Sequence, residues 1–297
     1  MDGGVAWLVT AAGAAVVLVA LRDVFHTLWH PSGHGGLSRR VMRLVWRMGR
    51  GPRRHGGSGV LAGPLAMVVV VLVWVTLVVA GCALVYWPHL PGSFDLGGEA
   101  QARGGHFLDA LYLSAVTVGT LGFGDIVPTS EWLRVVVPVE ALIGFALMTA
   151  AVTWVLQIYP ALTRRRALAI RLSLLQRVDA RRLVDDPDSD LAAPLLESLA
   201  TELVQVRVDL TQYPETYYFR DGDAEASLPA VLGVAGHLRW AAAQAPRLDA
   251  RVAGELLGHA IDDFAAVVDQ QFLRGGLGSE QVLAAYAADH GHRTTMG

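Results

Sequence analysis

The sequence predicts an all-α membrane protein with a soluble helical domain towards its C-terminal end. Three observations carry that prediction. Apolar residues make up 53% of the 297-residue chain and gather in three long runs. Charge changes sign between those runs. Between the second and third runs lies an apolar segment too short to span a bilayer, followed by a glycine-rich stretch.

Val5 to Leu21 and Val60 to Trp87 are uncharged, and Val135 to Leu162 carries only Glu140. A helix rises about 1.5 Å per residue, so roughly 20 residues cross the hydrocarbon core. The first run is marginal and draws on Arg22 to Trp29. Acidic Asp2, with no basic residue before the run, argues against a cleaved leader. Residues 1–30 are therefore expected to form a transmembrane helix at the periphery of the protein. From Arg22 to Arg54 there are eight Arg and one acid, Asp23, whereas His89 to Arg134 holds five acids and two Arg. Arg164, Arg165, Arg166 and Arg171 follow the third run. By the positive-inside rule the first and third of these segments are cytoplasmic, the second is external, and the N-terminus lies outside. Trp29, Trp46, Trp87, Trp132 and Trp154 fall near run ends, where amphipathic rings favour the membrane interface.

Residues 31–59 read as a basic linker. Within it Leu37, Val41, Leu44, Val45 and Met48 recur at helical spacing, with Arg39, Arg40, Arg43 and Arg47 on another face. This is the pattern of a short helix on the inner membrane surface, and anionic lipid is the expected partner of the Arg39–Arg54 segment. His26, His30 and His34 share a spacing of four, but Pro31-Ser32-Gly33 interrupts them, so they read as interfacial histidines rather than a metal site. The one cysteine, Cys82, lies inside the second run and excludes an intramolecular disulfide or a Cys-based metal centre.

From 163 onward the composition is that of a soluble helical domain. Ala167 to Leu183 continues the last helix, and further helices are expected from Ser189 or Asp190 to Gln212, Ala226 to Gln244, Leu248 to Arg274 and Ser279 to His290. Eighteen acids against seven Arg after Leu183 exclude nucleic acid as a partner. There is no dinucleotide fingerprint and no phosphate loop. The aromatic cluster from Tyr213 to Phe219 reads as packing of a loop onto helices. The Asp185, Asp186, Asp188 and Asp190 run reads as a solvated linker with capping acids. No nucleophile, base and oxyanion set can be assembled, so an enzyme is not expected, and neither is a cofactor.

The segment His106 to Pro128 is the chemically informative one. His106 to Thr120 has the length of a four-turn helix, and irregular backbone at membrane depth survives only inside protein or along a water-filled path. A re-entrant loop satisfies both demands. The carbonyl end of its half-helix points at the membrane centre and favours a cation there. A dehydrated cation needs a cage of oxygens. In Thr120-Leu121-Gly122-Phe123-Gly124-Asp125 the glycines allow backbone angles that alternate in hand, so the carbonyls of Thr120, Leu121, Gly122 and Phe123 can stack as rings. Leu121 and Phe123 are expected to pack outward against the pore helix. One chain supplies one loop, so a closed ring needs four copies. Glu140, an ionisable residue inside a span, is expected to bond the pore helix or a neighbour's filter base, or to snorkel outward.

The stretch Leu111-Tyr112-Leu113-Ser114-Ala115-Val116-Thr117, the TLGFGD motif and Ile126-Val127-Pro128 together resemble the potassium channel pore family across about Val60 to Tyr159. The resemblance implies a tetrameric potassium-channel pore fold over 60–162: outer helix 60–88, pore helix 107–119, filter 120–125 and inner helix 132–160. It implies K+ as the permeant ion, bound at Thr120, Leu121, Gly122 and Phe123 with Gly124 completing the filter. Asp125 then supports the filter by accepting a bond from Tyr112, or else is an exposed loop acid. Gly144 matches the family's inner-helix hinge, or else is a packing glycine; Thr153 and Leu156 fall near the inner bundle crossing. The chain departs from the family at Leu121, at Gly119 and at Phe123, which lacks the hydroxyl that tethers the filter.

The expected function is a passive potassium-selective channel in the plasma membrane: a multi-pass homotetramer with its C-terminal domain in the cytoplasm and a regulatory ligand the sequence does not name. Two alternatives are a weakly selective monovalent cation channel and a membrane-anchored adaptor with a vestigial pore.

Overall fold

The structure, a computed structural model, describes residues 3–28, 36–48, 61–90, 92–96 and 106–292. It divides into two compact units, Met1–Val45 with Leu65–Leu156 and Trp46–Pro64 with Gln157–Gly297. His30, His34 and Arg54 lie outside the described residues.

The first unit contains α1 (Gly3–Leu28), most of α2 (Gly36–Met48) and α3 (Ala62–Tyr86), which ends in a 3-10 turn at Trp87–His89. Strand β1 (Phe94–Leu96), helix α4 (Phe107–Val118), strand β2 (Ile126–Pro128) and the first part of α5 (Leu133–Arg177) complete it. Among the described residues, α1, α3 with its turn, and α5 are the three helices long and apolar enough to cross a membrane, as the sequence predicts. Lipid is as apolar as leucine, so membrane helices associate by close contact rather than by apolar burial. Gly13 and Gly81 provide such a contact between α1 and α3. A Cβ on Gly13 would lie 2.4 Å from the Gly81 carbonyl oxygen, and one on Gly81 would lie 2.9 Å from that of Gly13. At one end of α1, Trp7 packs on His89 and Trp132 with ring centroids 5.3 and 5.8 Å away.

The fold is helical as expected, with one small addition: β1 and β2 form an antiparallel ribbon that pairs Phe94 with Pro128 and Leu96 with Ile126. The last membrane helix continues beyond 160, as the Ala167 to Leu183 stretch led one to expect, and runs unbroken to Arg177. Trp154 is buried against Trp74 rather than held at the interface, with centroids 5.5 Å apart.

The second unit takes in the end of α5 and then α6 (Arg181–Asp185), α7 (Ala192–Gln212), a 3-10 turn at Pro214–Tyr218 and α8 (Leu228–Val231). α9 (Gly233–Ala243), α10 (Leu248–Val268) with a π turn at Asp269–Leu273, and α11 (Ser279–Asp289) follow. α10 packs on α7, α9 and α11; it buries Leu257, Ile261, Phe264 and Val268, and α7 buries Leu196, Leu199, Leu203 and Val206. The expected helix from Ala226 is interrupted at Leu232, and the last turn of the one from Leu248 is loosened into the π turn.

The arginines after the third run find acids of this unit. Arg164 donates to both oxygens of Asp209 at 2.7 Å. Arg165 reaches the carbonyls of Thr216 and Phe219 and the Asp221 carboxylate, which Arg166 shares. Arg171 pairs with Glu202 and Ser198. The aromatic cluster packs as expected: Tyr217 stacks on Phe272 at 4.0 Å, and Trp46 fits against Tyr217, Tyr218 and His290. The Trp46 indole donates to Asp289 at 3.1 Å, and Arg220 lies 4.3 Å over its ring. Trp46 is thus buried in protein, not floating at the membrane interface.

Candidate functional site: the pore loop

α4 begins at His106, whose backbone N–H donates to the Asp109 side chain at 2.8 Å. That places an acid at the positive end of the helix dipole and closes its first turn. Its twelve residues make a rod of about 18 Å, a half-span as expected. At the other end the chain tightens, with the N–H groups of Gly119, Thr120 and Leu121 donating to the carbonyls of Ala115, Thr117 and Val116, each at 2.9 Å.

The backbone then alternates in hand. Thr120, Gly122 and Gly124 have φ of +57°, +56° and +77°, while Leu121 and Phe123 between them stay negative. Alternation of this kind turns successive carbonyls to one side of the strand. A left-handed threonine costs about 1–2 kcal/mol, and strain of this sort gathers where function demands it. The sequence pointed to the two glycines; the left-handed Thr120 is an addition. Leu121 and Phe123 are 62% and 66% exposed in the single chain.

Asp125 takes the bonded alternative, accepting from the Tyr112 hydroxyl at 2.8 Å. With no hydroxyl on Phe123, this bond ties the outer end of the loop to α4. Glu140 is 1% exposed and neither snorkels nor waits for a neighbour. It accepts from the Tyr86 hydroxyl at 2.5 Å and from the Ser114 hydroxyl. One carboxyl group therefore pins α3, α4 and α5 together behind the loop. Tyr86 and Ser114 were missed as its partners, though an ionisable residue in a span implies that such partners exist. Gly144 sits where α5 crosses the end of α4, and a Cβ there would lie 2.2 Å from the Val118 carbonyl oxygen. It is a packing position in this conformation, in a helix unbroken through it. Among the described residues, no group of three or more His, Cys, Asp or Glu is placed to hold a metal ion.

Residues 69–159 match a family of ion channels, Ion_trans_2, and the match takes in most of α3, the loop and the first part of α5. This stretch is similar to an ion channel. Among curated proteins, an uncharacterized membrane protein of Bacillus subtilis, YdjJ, is 27% identical over 163 residues, covering 53% of this chain and 46% of that protein. The chain thus spans about half the length of the curated relative it matches. No solved structure matches.

Proposed function

We propose that the protein is a potassium-selective channel in which four copies surround one pore and K+ passes, dehydrated, between the carbonyls of Thr120, Leu121, Gly122 and Phe123. The alternating φ of Thr120, Gly122 and Gly124 carries this reading, because that backbone aims consecutive oxygens at a common axis. One chain offers one such strand, and Leu121 and Phe123 need cover that a neighbouring copy would supply. The Tyr112–Asp125 and Glu140 bonds hold the strand from behind. Gating belongs to α5, whose cytoplasmic half would splay about Gly144. The soluble helical unit lies in the cytoplasm of a plasma-membrane protein, on the side marked by the arginines. Anionic lipid meets the basic face of α2, where Arg40 and Arg47 are exposed.

The test is cation flux from vesicles containing the purified full chain. In a potassium gradient against sodium, the reversal potential should follow the potassium gradient. A reversal near zero would mean a weakly selective cation pore, the outcome that Phe123 without a hydroxyl makes worth measuring. Gly122→Asp should abolish flux, since it puts a side chain where φ is +56° and a charge beside the ion path. Flux unchanged by that substitution would leave an adaptor with a vestigial pore.

A further inference from the structure

Near the C-terminal end of α1, Asp23 is 6% exposed in a helix with no other acid. Its Oδ1 accepts the backbone N–H of Leu37 at 2.8 Å, and its Oδ2 accepts that of Ser38 at 3.0 Å and the indole N–H of Trp74 at 2.9 Å. Leu37 and Ser38 open α2, where N–H groups have no acceptor within the helix. An acid from another helix thus does the work of an N-cap side chain, and its charge faces the positive end of the α2 dipole. The Thr27 hydroxyl donates to the Asp23 carbonyl at 2.8 Å, so Ser38 donates its own hydroxyl proton to Thr27, also at 2.8 Å. Trp74 is 2% exposed and its ring lies 5.5 Å from that of Trp154, which is equally buried. Trp154 is on α5, beside Thr153 and within a turn of Leu156.

These contacts form one line: the start of α2, Asp23 of α1, Trp74 of α3, Trp154 of α5. We propose that Asp23, Trp74 and Trp154 are a coupling relay through which the position of α2 on an anionic membrane surface biases the cytoplasmic half of the inner helix α5. The inference rests on the channel reading and adds its regulation. α2 cannot move away from Asp23 without stranding two backbone N–H groups and a buried carboxylate, so it moves α1 and Trp74 with it. Trp74 in turn cannot shift without repacking Trp154, because protein interiors are close-packed. The force on α2 comes from Arg40, Arg43 and Arg47, which an anionic lipid surface attracts and a zwitterionic one does not.

The experiment is potassium flux through the full-length assembly in vesicles of phosphatidylcholine, with and without phosphatidylglycerol. Wild-type flux should differ about tenfold between the two lipids, within the usual range of coupling between sites. Trp74→Phe keeps a ring against Trp154 but removes the N–H to Asp23. It should bring the ratio close to one while flux in phosphatidylcholine stays within about twofold of wild type. Asp23→Asn replaces an acceptor with a donor facing N–H groups and should do the same; if it does not assemble, Trp74→Phe decides alone. A Trp74→Phe assembly of lower thermal stability that keeps the full lipid ratio overturns the relay, because its role is then only structural. Wild-type flux equal in both lipids also overturns it and leaves the channel reading standing. Wild-type protein that conducts in neither lipid removes the channel reading itself.

Discussion

In the first unit, helices meet where side chains are absent or where a polar group is deeply buried. Gly13 meets Gly81, Gly144 meets the backbone of Val118, and Glu140 and Asp23 each gather donors from two other segments. In the second unit the helices meet through leucine and alanine faces, and the orientation is fixed by arginine–acid pairs such as Arg165–Asp221 and Arg164–Asp209. The difference follows from the solvent. In hydrocarbon, burying leucine gains little over lipid, so backbone proximity and hydrogen bonds must hold the helices. In water, apolar burial supplies the drive, and charges need only to choose among packings. The same residue type therefore means different things in the two units, and substitutions should separate them.

The largest effect is expected at Gly144. A methyl group there meets backbone rather than a flexible side chain, at 2.2 Å from the Val118 carbonyl, two residues before Thr120. Gly144→Ala should cost at least the upper end of the ~1–3 kcal/mol usual for overpacking, and vesicle flux should be lost with it. If the crossing yields enough for the variant to assemble, the bend of α5 at Gly144 is tested alone, and single-channel recording should show a changed open time.

Next comes Asp221→Ala. Asp221 serves two arginines, and both its side chain and that of Arg165 are almost fully buried, 3% and 6% exposed. Removing one partner leaves a buried guanidinium without its counter-charge, a loss of about 3–5 kcal/mol. Thermal unfolding of the full chain should show it in the second unit; a shift equivalent to less than about 1 kcal/mol would mean that the pair behaves as a surface one. A smaller effect, ~1–3 kcal/mol by overpacking, is expected for Gly13→Ala at the α1–α3 crossing. Flux should survive it, because the pore loop, α3 and α5 do not include α1. Loss of selective flux there would show that α1 is part of the pore and not a peripheral helix.

How much of this could be read in advance depended on distance along the chain. The loop was legible because its chemistry is local: a half-span helix, glycines in alternation, Asp125 and Pro128 in one short stretch. Glu140 was legible as a residue that needs partners, but Ser114 and Tyr86 stand 26 and 54 positions away and nothing local points to them. The same rule applied to Asp23 would have flagged it; among eight arginines it passed as the exception in a charge count. In α2 the sequence displays an arginine face and an aliphatic face, whereas the buried residues are Ser38, Met42 and Trp46, a third face defined only by what packs on it. Trp46 and Trp154 sit at run ends as Trp87 does, and an amphipathic ring suits protein or interface equally until its neighbours are known. The β1–β2 ribbon has three-residue strands, too short for alternation to register.

The smallest effect expected is one of pH, and it belongs to the second unit alone. His290 is buried among Tyr217, Tyr286 and Trp46, with Nε2 2.8 Å from the Tyr217 carbonyl and Nδ1 3.1 Å from that of Tyr286. Burial, and then the positive charge of Arg165, lower its pKa from 6.5 to about 3, against the pull of the two carbonyls. The ring is therefore neutral in the folded chain and takes up a proton on unfolding at any pH between those values. Its contribution is complete above about pH 6.5 and is lost as pH falls towards 3, at roughly 1.4 kcal/mol per pH unit. Asp249, lowered by its bond to Arg247, acts in the same direction but only near and below its ordinary 3.8. The interval from about pH 6.5 to 5 thus isolates the histidines: His290 and, in the same direction, His292, whose pKa burial also lowers. His290→Gln should reduce the pH dependence of thermal unfolding in that interval, leaving the His292 part and the loss below pH 4 in place. A variant that keeps the wild-type slope from pH 6.5 to 5 would show that His290 is not neutral in the folded unit, and that its two carbonyl contacts outweigh burial.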